Sequence, residues 1–291
     1  MSKKQINIMM AGFGNMGKVI AHDLFLRTDL KLKGYFLEKE KEGVSNFEFL
    51  DKNWERETLT RVEFIPEHEH YNFLLINKSD IDIIVDFTLP VVVERNVDLY
   101  CDVGIPFVMG TTGGDRGALE LAVKKSKISA VIAPNMAPQI VGFQAMMKFV
   151  AENFSGLFQD YELRIVESHQ ATKVDTSGTA KEMVRYFNPL GAKNGLGEEF
   201  EEKHIIKERD RGRQLAILGV DEDYLDGHAW HIYDLISPDR TTSFNFQHKV
   251  NGRQIYCNGV YQAINFLMRK IQEGSSGEVF SMIDVLKSNQ R

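Results

Sequence analysis

Only two cysteines, Cys101 and Cys257, occur in 291 residues. Neither lies in a CxxC or a basic cluster, so a disulfide framework is excluded and both read as small buried apolar side chains of a reducing compartment. Long hydrophobic runs are missing too: no stretch approaches the ~20 apolar residues of a membrane-crossing helix. The start, Met1-Ser2-Lys3-Lys4, lacks the apolar core and small-residue cleavage site of a secretory signal. The expected location is cytoplasmic, and a plastid location would require a transit peptide outside this chain. Nor is there an excess of positive charge. The 35 Lys and Arg against 41 Asp and Glu leave a net charge of −6, which removes the general electrostatic case for nucleic acid or an anionic membrane as partner.

What is present is an ordinary globular composition, 43% apolar and 26% charged, at a length that suits two domains. Low-complexity segments and internal repeats are not evident. In the first half short apolar runs alternate with helical patterns. Ile6 to Ala11, Leu32 to Leu37, Ile81 to Phe87, Pro106 to Met109 and Ala130 to Ala133 read as strands, with a helix over Lys18 to Arg27 and another opened by Pro90. Such alternation predicts a parallel sheet with helical crossovers. Gly43 to Asn77 looks less regular, and Glu-His-Glu-His at 67–70 reads as a solvated segment.

The second half changes character. A strand over Glu162 to Val166 and a helix over Gly178 to Phe187 precede strand-like runs at Gln214 to Val220, Ala229 to Leu235, Ser243 to Val250 and Gln254 to Tyr256. Strands in succession predict a mixed or antiparallel sheet. Val260 to Ile271 reads as a long apolar helix. The expected fold is therefore α/β: a Rossmann-type parallel-sheet domain and an α+β domain for substrate and oligomerisation, with the boundary near Asn135 to Pro138.

Gly12, Gly14 and Gly17 form GxGxxG after a strand and at the start of a helix. Glycine is needed at the first position for a tight turn, at the second for close approach of a pyrophosphate, and at the third for helix–strand packing. Phe13, Asn15 and Met16 complete the turn, and the helix N-terminus offers N–H groups to phosphate. Glu38 ends the second strand near the ~20-residue offset of a ribose-binding acid. A carboxylate there favours the free 2′-hydroxyl of NADH, while Lys39 and Lys41 offer charge to the 2′-phosphate of NADPH, so NADPH and/or NADH remain open. At other strand ends stand Phe87-Thr88 after Asp86, Gly110-Thr111-Thr112 before Gly113, and Pro134-Asn135-Met136. Ligands of open parallel sheets bind at such carboxyl ends, and a cleft between the domains is the expected meeting place of nicotinamide and substrate.

The densest segment is Glu167-Ser168-His169-Gln170-Ala171-Thr172-Lys173-Val174-Asp175-Thr176-Ser177-Gly178-Thr179-Ala180. Read as a connecting loop between strand and helix, it brings an imidazole able to exchange a proton near neutral pH, a lysine cation, and a helix start suited to a carboxylate. The plainer alternative gives Ser177 or Thr176 a capping role only, Lys173 a solvated charge and His169 a structural hydrogen bond. His228, His231 and His248 show no convergent ligand spacing, so no metal is expected and they read as surface or core residues. Arg209-Asp210-Arg211-Gly212-Arg213 reads as a solvated loop rather than an acid-binding one.

That segment resembles the signature of the dihydrodipicolinate reductases, also called 4-hydroxy-tetrahydrodipicolinate reductases. Asp86-Phe87-Thr88, Gly110-Thr111-Thr112-Gly113 and Asn258-Gly259, placed just before the last long helix, sit in that family's order, and the resemblance covers nearly the whole chain. It departs from the usual bacterial form, which has His-His at His169-Gln170 and a segment one residue longer at Asp175-Thr176-Ser177-Gly178-Thr179. Gly227-His228-Ala229 and Ser237-Pro238-Asp239 resemble the plant-type branch. The resemblance implies NAD(P)H-dependent reduction of 4-hydroxy-tetrahydrodipicolinate with loss of water, in lysine and diaminopimelate synthesis. By motif it makes His169 the general acid. Lys173 becomes the residue that orients substrate, and Gln170, Ser177, Gly178 and Thr179 become contacts to a cyclic dicarboxylate. It also implies a homo-oligomer, dimer or tetramer, and returns 254–291 to the nucleotide domain of 1–135, leaving 136–253 as the second domain. Two other readings share the glycine turn: a related dehydrogenase acting on another imine or carbonyl, and a non-catalytic NAD(P)-sensing protein.

Overall fold

A computed structural model describes residues 5–38, 43–50 and 56–288, with backbone alone for 44–50 and 56–61. The chain divides into two compact units, Met1–Pro138 with Tyr256–Arg291, and Gln139–Ile255.

The first unit is built on an eight-stranded sheet. Its strands are β1 (Ile6–Ala11), β2 (Leu30–Glu38), β3 (Gly43–Leu50), β4 (Arg56–Pro66), β5 (Ile83–Asp86), β6 (Phe107–Met109), β7 (Ala130–Ile132) and β12 (Val279–Phe280). Their order is β12-β7-β6-β5-β1-β2-β4-β3, parallel throughout except for the antiparallel edge pair β3–β4. Helices α1 (Asn15–Phe25), α2 (His70–Asn77), α3 (Val93–Val103) and α4 (Arg116–Lys125) connect these strands. Central strands buried on both faces explain the unbroken apolar runs, since Ile8, Met9, Met10, Ile83, Ile84 and Val85 are all fully buried. The chain lays β2 on one side of β1 and β5 on the other. That reversal makes the carboxyl ends of β1 and β5, where Gly12 and Phe87 follow, the switch point at which open α/β sheets bind ligands.

Several sequence expectations change here. Residues 43–50 and 56–66 are not irregular but pair as the strands β3 and β4. Glu48, Arg56, Glu57 and Arg61 break the apolar pattern, and the extended state of this pair rests on pairing with β2, a long-range contact. Helix α1 begins at Asn15, three residues before the expected Lys18. His70 is buried, unlike its exposed neighbours His68 and Glu69. Its Nε2 lies 2.9 Å from Ile65 O and 3.2 Å from Glu38 O, so it donates to carbonyls at the ends of two strands. Lys39 falls outside the described residues.

The second unit carries a four-stranded sheet of order β11-β10-β8-β9, with β8 (Glu162–His169), β9 (Ile206–Glu208), β10 (His228–Ile236) and β11 (Ser243–Asn251). It is antiparallel except for β8–β9. Helices α5 (Pro138–Asn153) and α6 (Gly178–Phe187) accompany it, and Met147, Ala151, Met183, Val184 and Phe187 share a core with Leu163, Ile165, Tyr233 and Leu235. Gln214 to Val220 is not a strand. The short α7 (Arg211–Arg213) runs into a π-helical turn at Gln214–Leu218, closed by Gly219 in the left-handed region at φ 72°. The apolar alternation there was misleading, because Leu215 and Ile217 are exposed while the polar Gln214 is buried and bonded to His169 O and Glu208 O.

Helix α8 (Gln254–Gln272) absorbs the expected strand at Gln254 to Tyr256, and Asn258-Gly259 lies inside it rather than before it. α9 (Met282–Ser288) follows. Both cysteines are free; Cys257 is buried, and Cys101 is half-buried rather than fully so.

Candidate active site

Each unit carries its own group of candidate residues. In the first, the backbone ladder runs on past the strand ends: Gly12 N–H donates to Leu37 O, Phe87 N–H to Ala11 O and Gly110 N–H to Asp86 O. Gly12 has φ +88°, and a β-carbon on it would sit 2.5 Å from Phe87 O. A β-carbon on Gly17 would sit 2.2 Å from Gly12 O, whereas one on Gly14 would meet nothing within 4 Å. The first and third glycines therefore serve the protein's own packing, and the second faces open space. That space belongs to a pocket of about 210 Å3 lined by Gly12, Phe13, Gly14, Glu38, Thr88 and Arg95. The Glu38 carboxylate accepts a short hydrogen bond from Phe13 N–H. Arg95 pairs with Glu67 and stays half exposed.

Thr88 and Thr111 turn inward rather than toward a ligand. Both hydroxyls donate to Asp86 Oδ1, at 2.7 and 3.1 Å, and Thr88 N–H adds a third bond at 2.9 Å. Asn96 and Tyr100 donate to Oδ2 at 3.0 and 2.8 Å. Asp86 is thus a fully buried carboxylate with donors on both oxygens, which ties the ends of β5 and β6 to α3. Burial, then the Asp86 charge, pushes the Tyr100 phenol well above its ordinary pKa and keeps it a donor. The Phe87 ring lies over Gly110, where any β-carbon would meet it at 2.3 Å. Thr112 is exposed, Pro134 is exposed, Met136 is buried, and Asn135 Oδ1 accepts from Ala137 N–H at 3.0 Å.

In the second unit His169 is the last residue of β8, not part of a loop, so its position is fixed by the strand. Strand alternation puts Glu167 and His169 on one face and Ser168 on the other. Ser168 Oγ meets His228 Nε2 at 2.8 Å on that opposite face, away from the constellation. Glu167, fully buried, takes Arg209 Nη2 on Oε1 at 2.9 Å and Ser177 N–H on Oε2 at 3.1 Å. His169 Nε2 lies 3.1 Å from the same Oε2, so the buried ring stands directly against the carboxylate. Burial works against the Glu167 charge, but the His169 and Arg209 contacts outweigh it and hold its pKa below the ordinary range.

Opposite Glu167 in register stands His231, itself opposite His248. The His231 ring packs edge-on to His169 at 5.2 Å and stacks on His248 at 4.6 Å. Its Nε2 lies 2.8 Å from Ser177 Oγ. Ser177 stands at the N-cap of α6, yet its side chain makes no capping bond because His231 engages it. Gly178 has open space at its β-carbon position, and first-turn N–H groups lack partners within a helix. Lys173 donates to Asp175 Oδ2 at 2.7 Å, and that contact lowers the Asp175 pKa. Gln170 and Thr179 are half-buried.

Donor atoms of Glu167, His169 and His231 lie within 4.8 Å of one another, a potential ligand set for a metal ion. Glu167, however, already has a partner on each oxygen, and a dication there would face the fixed guanidinium of Arg209. The set is better understood as an internally balanced charge cluster. Arg209, expected to be solvated, is its inner cation. The sequence pointed to His169, Lys173 and Ser177 through their density. It did not point to Arg209 or His231, whose partners Glu167 and Ser177 lie 42 and 54 residues away. Adjacency to His169 was the one signal available for Glu167.

Two family profiles match the chain: "Dihydrodipicolinate reductase, N-terminus" over residues 6–136 and "Dihydrodipicolinate reductase, C-terminus" over residues 142–286. The chain is 48% identical over 205 residues to the probable 4-hydroxy-tetrahydrodipicolinate reductase 1, chloroplastic, of Oryza sativa subsp. japonica, covering 70% of this chain and 58% of the relative. It is 47% identical to 4-hydroxy-tetrahydrodipicolinate reductase 2, chloroplastic, of Arabidopsis thaliana, covering 70% and 57%. The aligned stretch thus spans less than two thirds of each plant relative. A 4-hydroxy-tetrahydrodipicolinate reductase of Methanosphaera stadtmanae is 30% identical over 72% of this chain and 75% of that protein. Among solved structures, the dipicolinate-bound dihydrodipicolinate reductase from Paenisporosarcina sp. TG-14 shares the fold, with a TM-score of 0.61 at 20% identity over 95% of this chain and 97% of that one.

Proposed function

Because the chain belongs to the dihydrodipicolinate reductase family, we propose that it reduces 4-hydroxy-tetrahydrodipicolinate to tetrahydrodipicolinate with loss of water. The observation that carries this reading is the buried His169, whose Nε2 lies 3.1 Å from the Glu167 Oε2 that also accepts from Ser177 N–H at the start of α6. A proton donor at the end of β8 and the anion-binding start of α6, joined through Glu167, suit a ring that must receive a proton while its carboxylates are held.

A nicotinamide dinucleotide, when bound, would supply a hydride for ring C4 once the 4-hydroxyl and a proton of the neighbouring ring carbon have left as water. The cradle fits such a group: Gly14 leaves the space a β-carbon would fill, and α1 presents its N-terminus there. Gly12, Phe13, Gly14, Asn15, Met16 and Gly17 would hold the pyrophosphate. Glu38 would hold a ribose hydroxyl, and Arg95 offers a cation for a 2′-phosphate, so both NADH and NADPH are accepted. Phe87, Thr88, Gly110, Thr112, Pro134 and Asn135 would shape the remaining contact surface, with the buried Thr111 and Met136 supporting it from behind.

His169 would deliver the balancing proton to the ring carbon next to C4. Lys173 exchanges Asp175 for a substrate carboxylate, and Ser177, Gly178 and Thr179 hold a carboxylate at the helix start. Gln170 donates a hydrogen bond but carries no proton. Two free cysteines suit a reducing aqueous compartment, and the enzyme works as a homo-oligomer, dimer or tetramer, which light scattering resolves.

The test is consumption of NADH and, separately, NADPH with substrate generated in place by dihydrodipicolinate synthase from pyruvate and aspartate semialdehyde. Consumption that requires the synthase is expected. His169→Ala should lower kcat by about 10²–10⁴-fold with cofactor binding retained. Wild-type turnover in that variant removes His169 from the chemistry. Cofactor binding without any consumption turns the reading toward a dehydrogenase of another imine or carbonyl, or a nucleotide sensor.

A further inference from the structure

Arg209 opens a charged run whose other arginines have exposed side chains, Arg211 paired with Asp226 and Arg213 with the buried Glu208. Arg209 differs. Its side chain is 18% exposed and reaches the fully buried Glu167. Nε donates to Lys173 O at 2.8 Å. Nη1 donates to Glu167 O at 3.3 Å and Glu208 O at 3.0 Å. Nη2 donates to Glu167 Oε1 at 2.9 Å and Asp175 O at 3.4 Å. One planar group thus gathers acceptors from the end of β8, the segment after it, and the end of β9.

What these acceptors have in common is the catalytic segment. By taking Oε1, Arg209 leaves Oε2 of Glu167 to Ser177 N–H and to the face of His169. By holding the Lys173 and Asp175 carbonyls, it fixes the backbone that carries the Lys173 ammonium. We propose that Arg209 is a positioning residue that sets the proton donor, the lysine and the start of α6 in one geometry for a dicarboxylate substrate. The proposal rests on the functional reading above and adds a residue to it. A guanidinium suits the task because its five donors lie in a fixed fork, whereas an ammonium is a single point charge. Productive geometry is demanding: a displacement of about 1 Å can cost about 10²-fold in rate.

The test compares wild type with Arg209→Lys and Glu167→Gln. Arg209→Lys keeps the charge and loses the fork. Glu167→Gln keeps an oxygen acceptor and loses the charge, and it serves as the second variant should the first not fold. Three readouts are taken: kcat and KM for each substrate, the Kd of pyridine-2,6-dicarboxylate by calorimetry, and amide hydrogen exchange over residues 170–177. In either variant the expected result is a kcat lower by at least about tenfold, a dicarboxylate Kd raised by a similar factor, faster exchange over 170–177, and an unchanged KM for the nicotinamide cofactor. Wild-type kcat and Kd in Arg209→Lys would overturn the proposal, as would faster exchange with unchanged kcat and Kd, which marks a purely structural contact. Should wild type itself fail to consume the coupled substrate, the functional reading falls, and the exchange and dicarboxylate arms still decide the role of Arg209: neither changing in the variant overturns it.

Discussion

Three glycines of one turn do different work, and single substitutions separate them. Gly17 is buried in α1, where a β-carbon would stand 2.2 Å from Gly12 O, a backbone atom that cannot yield cheaply. Gly17→Ala should destabilise the protein by about 1–3 kcal/mol and weaken nucleotide binding together. Gly14→Ala has room for its methyl group, so its melting temperature should match wild type while cofactor KM rises. Thermal melts paired with nucleotide titration check both, and equal melting losses in the two variants would refute the division. The glycines were legible in sequence because close backbone approach admits little else. Glu167 and Arg209 were not, since a buried ion pair 42 residues apart leaves no local pattern.

At the scale of elements, what could be read locally was read well. The buried strands of the first sheet, the helix Gly178–Phe187 and the long strands β10 and β11 each carry their own periodicity or unbroken apolar run. The failures have a common cause in tertiary contact. The pair β3–β4 is extended by its neighbours, the π turn at 214–218 is held by the buried Gln214 amide, and α8 runs through Gly259 although glycine disfavours helix interiors. Gly259 is explained by its surroundings. A β-carbon there would lie 1.7 Å from Met136 O and 3.2 Å from Pro138 Cδ, so the helix can pass the chain at Met136 only with hydrogen at that position. Gly259→Ala would gain about 0.5–1 kcal/mol of intrinsic helix propensity yet should cost more than it gains, with a net loss of at least about 1 kcal/mol in urea unfolding. A variant as stable as wild type would show that this approach is looser than described.

The whole molecule should lose stability in mild acid, and the sign follows from its buried imidazoles. Burial lowers the pKa of His70, of His228 and, well below the ordinary value, of His231. Burial, with His169 adding to it, lowers His248 to about 4. Each is a base whose folded pKa lies below its unfolded value of about 6.5. Between the two values the unfolded chain binds more protons, so stability is complete above pH ~6.5 and falls as pH drops toward the folded pKa. Glu167, also depressed, acts in the same direction at lower pH, its contribution being lost below the ordinary carboxylate range. The two units should respond unequally, since His228, His231 and His248 belong to Gln139–Ile255 and His70 to the other. Hydrogen exchange during urea unfolding at pH 7, 6, 5 and 4 follows each unit separately. The expected result is a steeper loss in Gln139–Ile255, by up to about 1.4 kcal/mol per pH unit for each histidine within its window. His248→Gln should flatten that slope by one such increment, because an amide at this edge-strand position takes up no proton over the same range. Parallel profiles in the two units, or an unchanged slope in His248→Gln, would mean that these rings accept protons in the folded state as readily as in the unfolded one.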